Sequence, residues 1–194
     1  MTKKEVKKET KRDIRVVNIV ISTSLKHDIP LEKMAATLSN TEYNPEQFPG
    51  LVIRIKEPKT SALIFSSGKV VCTGARSMDK VEESISKIIK SLEKIGIKIT
   101  IKPEIKIQNI VASGSIGMDL NLNVLAMKLE NTEYEPEQFP GLVYKVSVQY
   151  EKREFKATFL LFSNGKVVCT GTKSEEEVHA ALDQLIVNLK KVKA

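Results

Sequence analysis

Apolar and polar positions along this chain follow two periods, and the same succession of periods occurs twice. Val16–Ser22 (VVNIVIS) and Ile107–Ser113 (IQNIVAS) are rich in β-branched residues with an asparagine in the middle of each, the pattern of strands. Each is followed by a stripe at i, i+3, i+4, i+7, namely Leu31, Met34, Ala35, Leu38 and then Leu122, Leu125, Ala126, Leu129, which predicts a short helix. Three further strands are expected in each copy: Leu51–Lys56, Ser61–Ser66 and Lys69–Thr73, then Leu142–Gln149, Thr158–Ser163 and Lys166–Thr170. Ser67-Gly68 and Asn164-Gly165 fall where a tight hairpin turn with positive φ belongs. Ser77 and Ser174 are expected to cap long helices, Ser174 with Glu177 as a capping box. The helix faces, Val81, Ile85, Ile88, Ile89, Leu92 and Val178, Leu182, Leu185, Ile186, Leu189, have identical spacing. Between the copies, Ile97, Ile99 and Ile101 alternate with polar residues up to Pro103, which reads as an extended connector.

The repetition extends to residue identity. NTEYNPEQFPGLV at Asn40–Val52 recurs as NTEYEPEQFPGLV at Asn131–Val143, and FSSGKVVCTG at Phe65–Gly74 recurs as FSNGKVVCTG at Phe162–Gly171. Two such halves most simply pack about an approximate twofold axis, an arrangement that suits duplex DNA. Alternation within the strands puts Val70 and Cys72 on one face and Lys69, Val71 and Thr73 on the other, while Leu63 and Phe65 oppose Ile64. Both faces are then apolar, which ordinarily means burial on both sides, by a sandwiched core or by dimerisation. Asn18, Asn109, Thr73 and Thr170 on the uncovered face argue instead for a ligand that supplies hydrogen-bond acceptors.

Composition narrows the classes. The net charge of +7 is distributed unevenly: Met1–Arg12 carries six basic and two acidic residues, residues 13–103 fourteen and ten, and residues 104–194 eleven and twelve. A basic chain favours a polyanionic partner, although a solvated lysine-rich surface has the same composition. No apolar run approaches a membrane span and the amino terminus lacks a signal-peptide core, so a cytoplasmic protein is expected, with no membrane partner. Cys72 and Cys169 occupy equivalent places and read as reduced core thiols. With His27 and His179 they form no metal-ligand spacing, so neither a metal nor a cofactor is expected. No nucleophile–base pair or phosphate-binding glycine loop argues for an enzyme.

QNIV at Gln108–Val111, EYxPEQFPG, IKEPKTSALIF at Ile55–Phe65 and SGKVVxTG together resemble the TATA-box-binding protein family in its archaeal form, over about residues 14–192. The resemblance implies an α+β fold: two tandem repeats, 13–103 and 104–194 after a basic flexible tail at 1–12, forming a saddle-shaped ten-stranded antiparallel sheet with helices on the convex face. It also implies DNA beneath the concave face. Phe48 with Phe65 and Phe139 with Phe162 match the wedge pairs that enter base steps. Asn18 and Asn109 match the central amide donors to minor-groove acceptors, and Thr73 and Thr170 the hydroxyls beside them. Val20, Val71, Val111 and Val168 match apolar contacts, with Leu63 and Leu160 flanking the wedges. Arg54, Lys69, Lys145 and Lys166 fall at phosphate-contacting positions. Glu135 and Glu137 match acidic positions that contact transcription factor B.

The function so implied is that of a general transcription initiation factor that binds A·T-rich promoter DNA in the minor groove, bends it, and recruits transcription factor B and, indirectly, RNA polymerase. A homodimer through the concave face is an alternative state of the free protein. The rival reading is a paralogue that uses the same face as a non-DNA protein-interaction module. Three features depart from the family pattern. Six extra residues separate Phe139 from Phe162, lengthening a hairpin near Glu151–Glu154, where the EKRE charges are expected to pair among themselves. The chain ends in LKKVKA without an acidic tail, and Val17 stands where the second copy has Gln108.

Overall fold

The computed structural model describes residues 13–193, and the basic segment Met1–Arg12 lies outside the described residues. Strand β1 (Asp13–Ser24) leads to α1 (Leu31–Thr37), the two-residue β2 (Thr41–Glu42), then β3 (Gly50–Ile55), β4 (Thr60–Phe65), β5 (Lys69–Ala75) and α2 (Met78–Lys94). The succession repeats as β6 (Lys106–Ser115), α3 (Leu122–Lys128), β7 (Thr132–Glu133), β8 (Leu142–Tyr150), β9 (Arg153–Leu161), β10 (Lys166–Thr172) and α4 (Glu175–Lys193). The expected fold class is the observed one: ten strands in one sheet, ordered β2-β3-β4-β5-β1-β6-β10-β9-β8-β7. By its internal contacts the described chain forms two compact units, one of residues 16–111 with 173–175, the other of residues 13–15, 112–172 and 176–193.

In the first of these units the period-two alternation sorts side chains as expected. Ile19 and Ile21 on β1, Leu51 and Ile53 on β3, Ala62 and Ile64 on β4, and Val70 and Cys72 on β5 are buried, as are Val81, Ile85, Ile88 and Leu92 of α2. Their sequence neighbours Val20, Val52, Leu63 and Val71 are only half-buried. In the other unit Leu142, Tyr144, Val146, Val148, Ala157, Phe159, Leu161, Val167 and Cys169 form one core with Leu122, Leu125, Leu182, Leu185 and Leu189. Helices therefore cover one face of the strands in each unit, and the alternate face is not sealed.

Several local expectations need correction. The hairpin turns carry their positive φ at the glycine alone: Gly68 (φ 81°) and Gly165 (φ 75°) each donate N–H to the carbonyl three residues back, Phe65 and Phe162, at 2.9 Å. This is a three-residue loop closed by a left-handed glycine. A Cβ on Gly68 would stand 2.3 Å from the His27 carbonyl oxygen and one on Gly165 2.2 Å from that of Met118, so the loop after β1 or β6 packs directly on the turn. Ser77 has the extended backbone of an N-cap, but its hydroxyl makes no capping hydrogen bond. The segment from Ile97 to Pro103 has no strand pairing, in keeping with a connector.

The inserted hairpin differs most from expectation. β3 and β4 pair from Gly50↔Phe65 to Ile55↔Thr60, whereas β8 and β9, counted from Leu142↔Leu161 as the equivalent of Leu51↔Ile64, run on to Tyr150↔Arg153, four pairs further. Arg153 does not pair within the EKRE turn. Its guanidinium meets Oε1 of Glu177 on the first turn of α4, a carboxylate only 2% exposed. Glu177, expected in a capping box, thus ties the lengthened hairpin to the helix. The role is structural because removing the arginine would leave the buried carboxylate uncompensated. We predict that Arg153→Met costs about 2 kcal/mol in urea unfolding, below the usual buried-pair value because Arg153 itself is half exposed, and that adding Glu177→Gln recovers most of the loss. An unchanged midpoint in Arg153→Met would remove the ion pair from the account.

A second polar pair marks how the repeats diverged. Thr60 Oγ1 and Ser84 Oγ lie 2.9 Å apart in the core, and Ser84 Oγ also donates to the Lys80 carbonyl at 2.7 Å. The equivalent positions in the other repeat, 97 residues on as Phe162 is from Phe65, are Ala157 and Ala181, both fully buried. Removing either one loses the shared hydrogen bond, and removing the second then loses only what its hydroxyl makes elsewhere, for Ser84 the bond to the Lys80 carbonyl. Thr60→Ala alone should cost about 1 kcal/mol, and adding Ser84→Ala should cost little more. A double-mutant cycle in urea reads the coupling, and strictly additive losses would contradict it.

Candidate nucleic-acid interface

The unsealed face is built by every second residue of the strands. In the unit holding residues 16–111, β1 contributes Asn18 and Val20, β4 Leu63 and Phe65, β5 Lys69, Val71 and Thr73, and β6 Asn109 and Val111. Leu63 and Val71 are directly opposite across the β4–β5 ladder, as are Ser61 and Thr73. Lys69 and Thr73 are exposed, and the apolar members are half-buried, so these side chains line a surface rather than a second core.

Asn18 has a geometry that the strand pattern alone could not reveal. The β1–β5 register slips between Ile19↔Ala75 and Ile21↔Cys72, and the Gly74 N–H at this irregularity donates to Asn18 Oδ1 at 2.7 Å. A backbone N–H can only donate, so the amide oxygen is held inward and the NH₂ group is the part left to face outward. Asn18 Nδ2 reaches Thr73 Oγ1 at 3.1 Å. The pair is a fixed donor site with a hydroxyl beside it, its orientation set by the backbone.

Phe48 sits at the end of a single turn in which its N–H donates to the Asn44 carbonyl at 3.0 Å, and its ring remains 44% exposed. The ring packs edge-on against Phe65 with centroids 6.0 Å apart and planes at 64°. Gly50 makes this approach feasible: a Cβ there would lie 2.7 Å from Phe48 Cε1 and 3.2 Å from Phe65 Cε1. The Pro-Gly that follows the phenylalanine therefore lets the ring fold back over the strand, a role beyond loop punctuation.

The same construction occurs within the other unit. Phe139 donates its N–H to the Glu135 carbonyl at 2.9 Å, is 41% exposed, and meets Phe162 at 5.9 Å and 67°. Gly141 lies under both rings, with a hypothetical Cβ 2.6 Å from Phe139 Cε1. Leu160 faces Val168, and Thr158 faces Thr170, across β9–β10. Lys166 is exposed at the start of β10, and Glu135 and Glu137 are exposed on the turn before Phe139.

Two of the four cations expected at phosphate positions, Arg54 and Lys145, are engaged in exposed ion pairs that the sequence pattern did not announce. Arg54 Nη2 is 3.1 Å from Glu42 Oε2, and Lys145 Nζ is 2.8 Å from Glu133 Oε1. The lysine's hydrogen bond and charge hold the Glu133 carboxyl below its ordinary pKa. Both acids lie in the repeated Asn-Thr-Glu, on the short strands β2 and β7, and only the β2–β3 and β7–β8 pairings bring them beside the cations. Exposed pairs of this kind contribute about 0–1 kcal/mol, so exchanging the carboxylate for a phosphate costs little. Burial pushes the Cys72 thiol up to about 11 and the Cys169 thiol up to about 12, which keeps both protonated and inert.

Comparison with known proteins agrees with this construction. The profile of the family described as "Transcription factor TFIID (or TATA-binding protein, TBP)" matches residues 13–95 and again 104–192. A TATA-box-binding protein of Methanocaldococcus jannaschii is 50% identical over 180 residues, covering 93% of this chain and 95% of that protein. That of Picrophilus torridus is 51% identical over 181 residues, with 92% and 95% covered. The solved structure described as Methanococcus jannaschii TBP superposes with a TM-score of 0.82 at 50% identity, covering 92% of this chain and 98% of that one. Matched twice by the family profile and near half identity across nine-tenths of these relatives, the chain is a member of the TATA-binding protein family.

Proposed function

We propose that this protein is a general transcription initiation factor that binds A·T-rich promoter DNA through the minor groove, with residues 13–103 and 104–194 as its two half-contacts. The observation that carries the reading is the duplicated edge-packed phenylalanine pair, one ring of each pair exposed, beside a half-buried apolar strand face. A flat ring already held over a glycine can enter a base step without first paying for its own ordering. Phe48 with Phe65, and Phe139 with Phe162, are the wedges of the two half-contacts. Entry of the wedges at both ends of the contact bends the duplex.

Asn18 and Asn109 donate amide N–H to adenine N3 and thymine O2, the acceptors an A·T pair shows in the minor groove, with Thr73 and Thr170 as neighbouring hydroxyls. Val20, Val71, Val111, Val168, Leu63 and Leu160 pack on the groove floor, where a guanine N2 amino group would be buried without a partner. Arg54, Lys69, Lys145 and Lys166 contact phosphates, so affinity falls as salt rises. Glu135 and Glu137 meet a basic surface of transcription factor B, which brings RNA polymerase. No chemistry is catalysed, and the protein works at the chromosome inside the cell. Without DNA, a second copy of the chain can cover the same apolar face.

Gel shifts with an A·T-rich and a G·C-rich duplex at one salt concentration test the reading. Equal affinity for the two would favour a protein-interaction role over promoter binding. Asn18→Ala and Asn109→Ala should each weaken the A·T-rich complex by about 1–3 kcal/mol. Asn18→Asp retains the acceptor for Gly74 N–H while losing the donor, and it should bind DNA no better than Asn18→Ala. Unchanged affinity in both alanine variants would remove the amides from the readout.

The wedges are tested by energy transfer between the labelled ends of a duplex. Replacing Phe48, Phe65, Phe139 and Phe162 with alanine should largely abolish bending while the helical circular dichroism persists. Gly50→Ala with Gly141→Ala should act in the same direction, because each new methyl displaces a ring that it would otherwise contact at under 3 Å. A full bend in the quadruple variant would show that the phenylalanines are not wedges.

A further inference from the structure

The unit of residues 16–111 has a groove of about 1090 Å³ at the end of the β3–β4 hairpin remote from Phe48 and Phe65. Its walls come from the turn between these strands (Lys56, Glu57, Pro58, Lys59), from the end of β5 (Thr73, Gly74, Ala75, Arg76) and from Lys80 on the first turn of α2. Arg54 and Ser61 continue it onto the face carrying the proposed DNA contacts. Five cations line it against one carboxylate, that of Glu57. Arg54 and Lys80 have acidic partners in Glu42 and Glu83, but among the described residues Lys56, Lys59 and Arg76 have none.

The other repeat keeps part of this charge arrangement and loses part: the counterparts of Lys59 and Arg76, 97 residues on, are Lys156 and Lys173. The counterpart of Lys56, 91 residues on as Asn131 is from Asn40, is Ser147, and the counterpart of Lys80, 97 residues on, is Glu177. Glu177 is buried against Arg153 of the lengthened hairpin. At this one position the first repeat sets Lys80 on the open groove, whereas the other has an internal ion pair.

We propose that this groove binds backbone phosphates of the DNA duplex, as an extension of the interface that carries more positive charge in the first repeat than in the second. The inference rests on the promoter-binding reading. Cations beside hydroxyls and small residues, with few exposed apolar anchors, match phosphate contact better than they match a protein segment, whose docking relies on buried apolar or aromatic anchors. Continuity through Arg54 and Thr73 places the groove next to the groups that would hold the same duplex. Lys56, Lys59 and Arg76 contribute point charges without base readout, so they add affinity and salt dependence and leave sequence preference unchanged.

The experiment compares three full-length proteins: wild type, a groove variant (Lys56→Ser, Lys59→Ser, Arg76→Ser), and a control with the same charge change outside the groove (Lys90→Ser, Lys94→Ser, Lys98→Ser). Affinity for A·T-rich and G·C-rich duplexes is measured over a range of salt, with urea midpoints as a check on folding. The groove variant should lose about 0.9 in the slope of log K against log salt for each phosphate contact removed, hence about 2–3 in all, with its A·T preference intact. The control should keep the wild-type slope. A groove variant with an unchanged slope, or a control that drops equally, overturns the proposal. Loss of poly-glutamate binding with an intact DNA slope also overturns it, in favour of an acidic protein partner. A wild type without A·T preference sinks the underlying functional reading separately, since the slope comparison is read on either duplex.

Discussion

Because the helices of each unit cover only one face of its strands, the alternate residues cannot be sealed by the chain itself. Val20, Leu63, Val71, Val111, Leu160 and Val168 remain half-buried. Each such aliphatic side chain forgoes roughly 1 kcal/mol of burial that a covering surface would return. That deficit distinguishes the face from a core and gives any flat, partly apolar partner a ready gain. The polar members are arranged to match. Asn18 has its oxygen held by the Gly74 N–H, so its donor is aimed before any ligand arrives. Orientation already fixed by folding is not charged against binding.

The two repeats show how such a framework drifts without losing its packing. Buried polar groups change in pairs: Thr60 with Ser84 in one repeat is Ala157 with Ala181 in the other. The reverse occurs elsewhere in the core. Tyr144 accepts a hydrogen bond from Asn188 Nδ2 at 2.9 Å, where the first repeat has Ile53 and Ser91. Burial raises the Tyr144 pKa and the Asn188 bond offsets this only in part, as expected of a phenol that stays neutral inside a core. A hydroxyl gained without its partner would be an uncompensated desolvation, and its partner supplies the compensation.

The elements were legible because they rest on local pattern. The spacing of Val81, Ile85, Ile88 and Leu92 and the alternation of Val70 and Cys72 suffice to orient α2 and β5, and the structure buries those residues. The exposed phenylalanines were legible from their Gln-Phe-Pro-Gly context joined to the family resemblance. What escaped was set by tertiary pairing. Arg153 and Glu177 are distant in sequence and meet only once β9 and α4 are packed, while the charges next to Arg153 suggested a nearer partner. The Asn18–Gly74 bond depends on a slip in the β1–β5 register that no alternation announces. Gly50 and Gly141 read as turn residues because a sequence does not show which ring will lie over them.

Near-identity of the repeats also limits what they can do unaided. If Phe48 and Phe139, or Asn18 and Asn109, make equal contacts, their energies cancel in any comparison of the two orientations on a near-symmetric site. Polarity must then come from positions that differ. Arg54 holds Glu42 through both Nε and Nη2, a fork that can transfer to a phosphate, whereas Lys145 presents Glu133 with a single ammonium. Asn44 has become Glu135 on the equivalent turn, adding an exposed negative charge on one side only. Lys56 has become Ser147, removing a positive one from that same repeat. The last two substitutions leave the second repeat less attractive to a polyanion and more attractive to a basic protein. Charge is the property in which the halves diverged at the surface, and it is a property able to orient a module whose shape is duplicated.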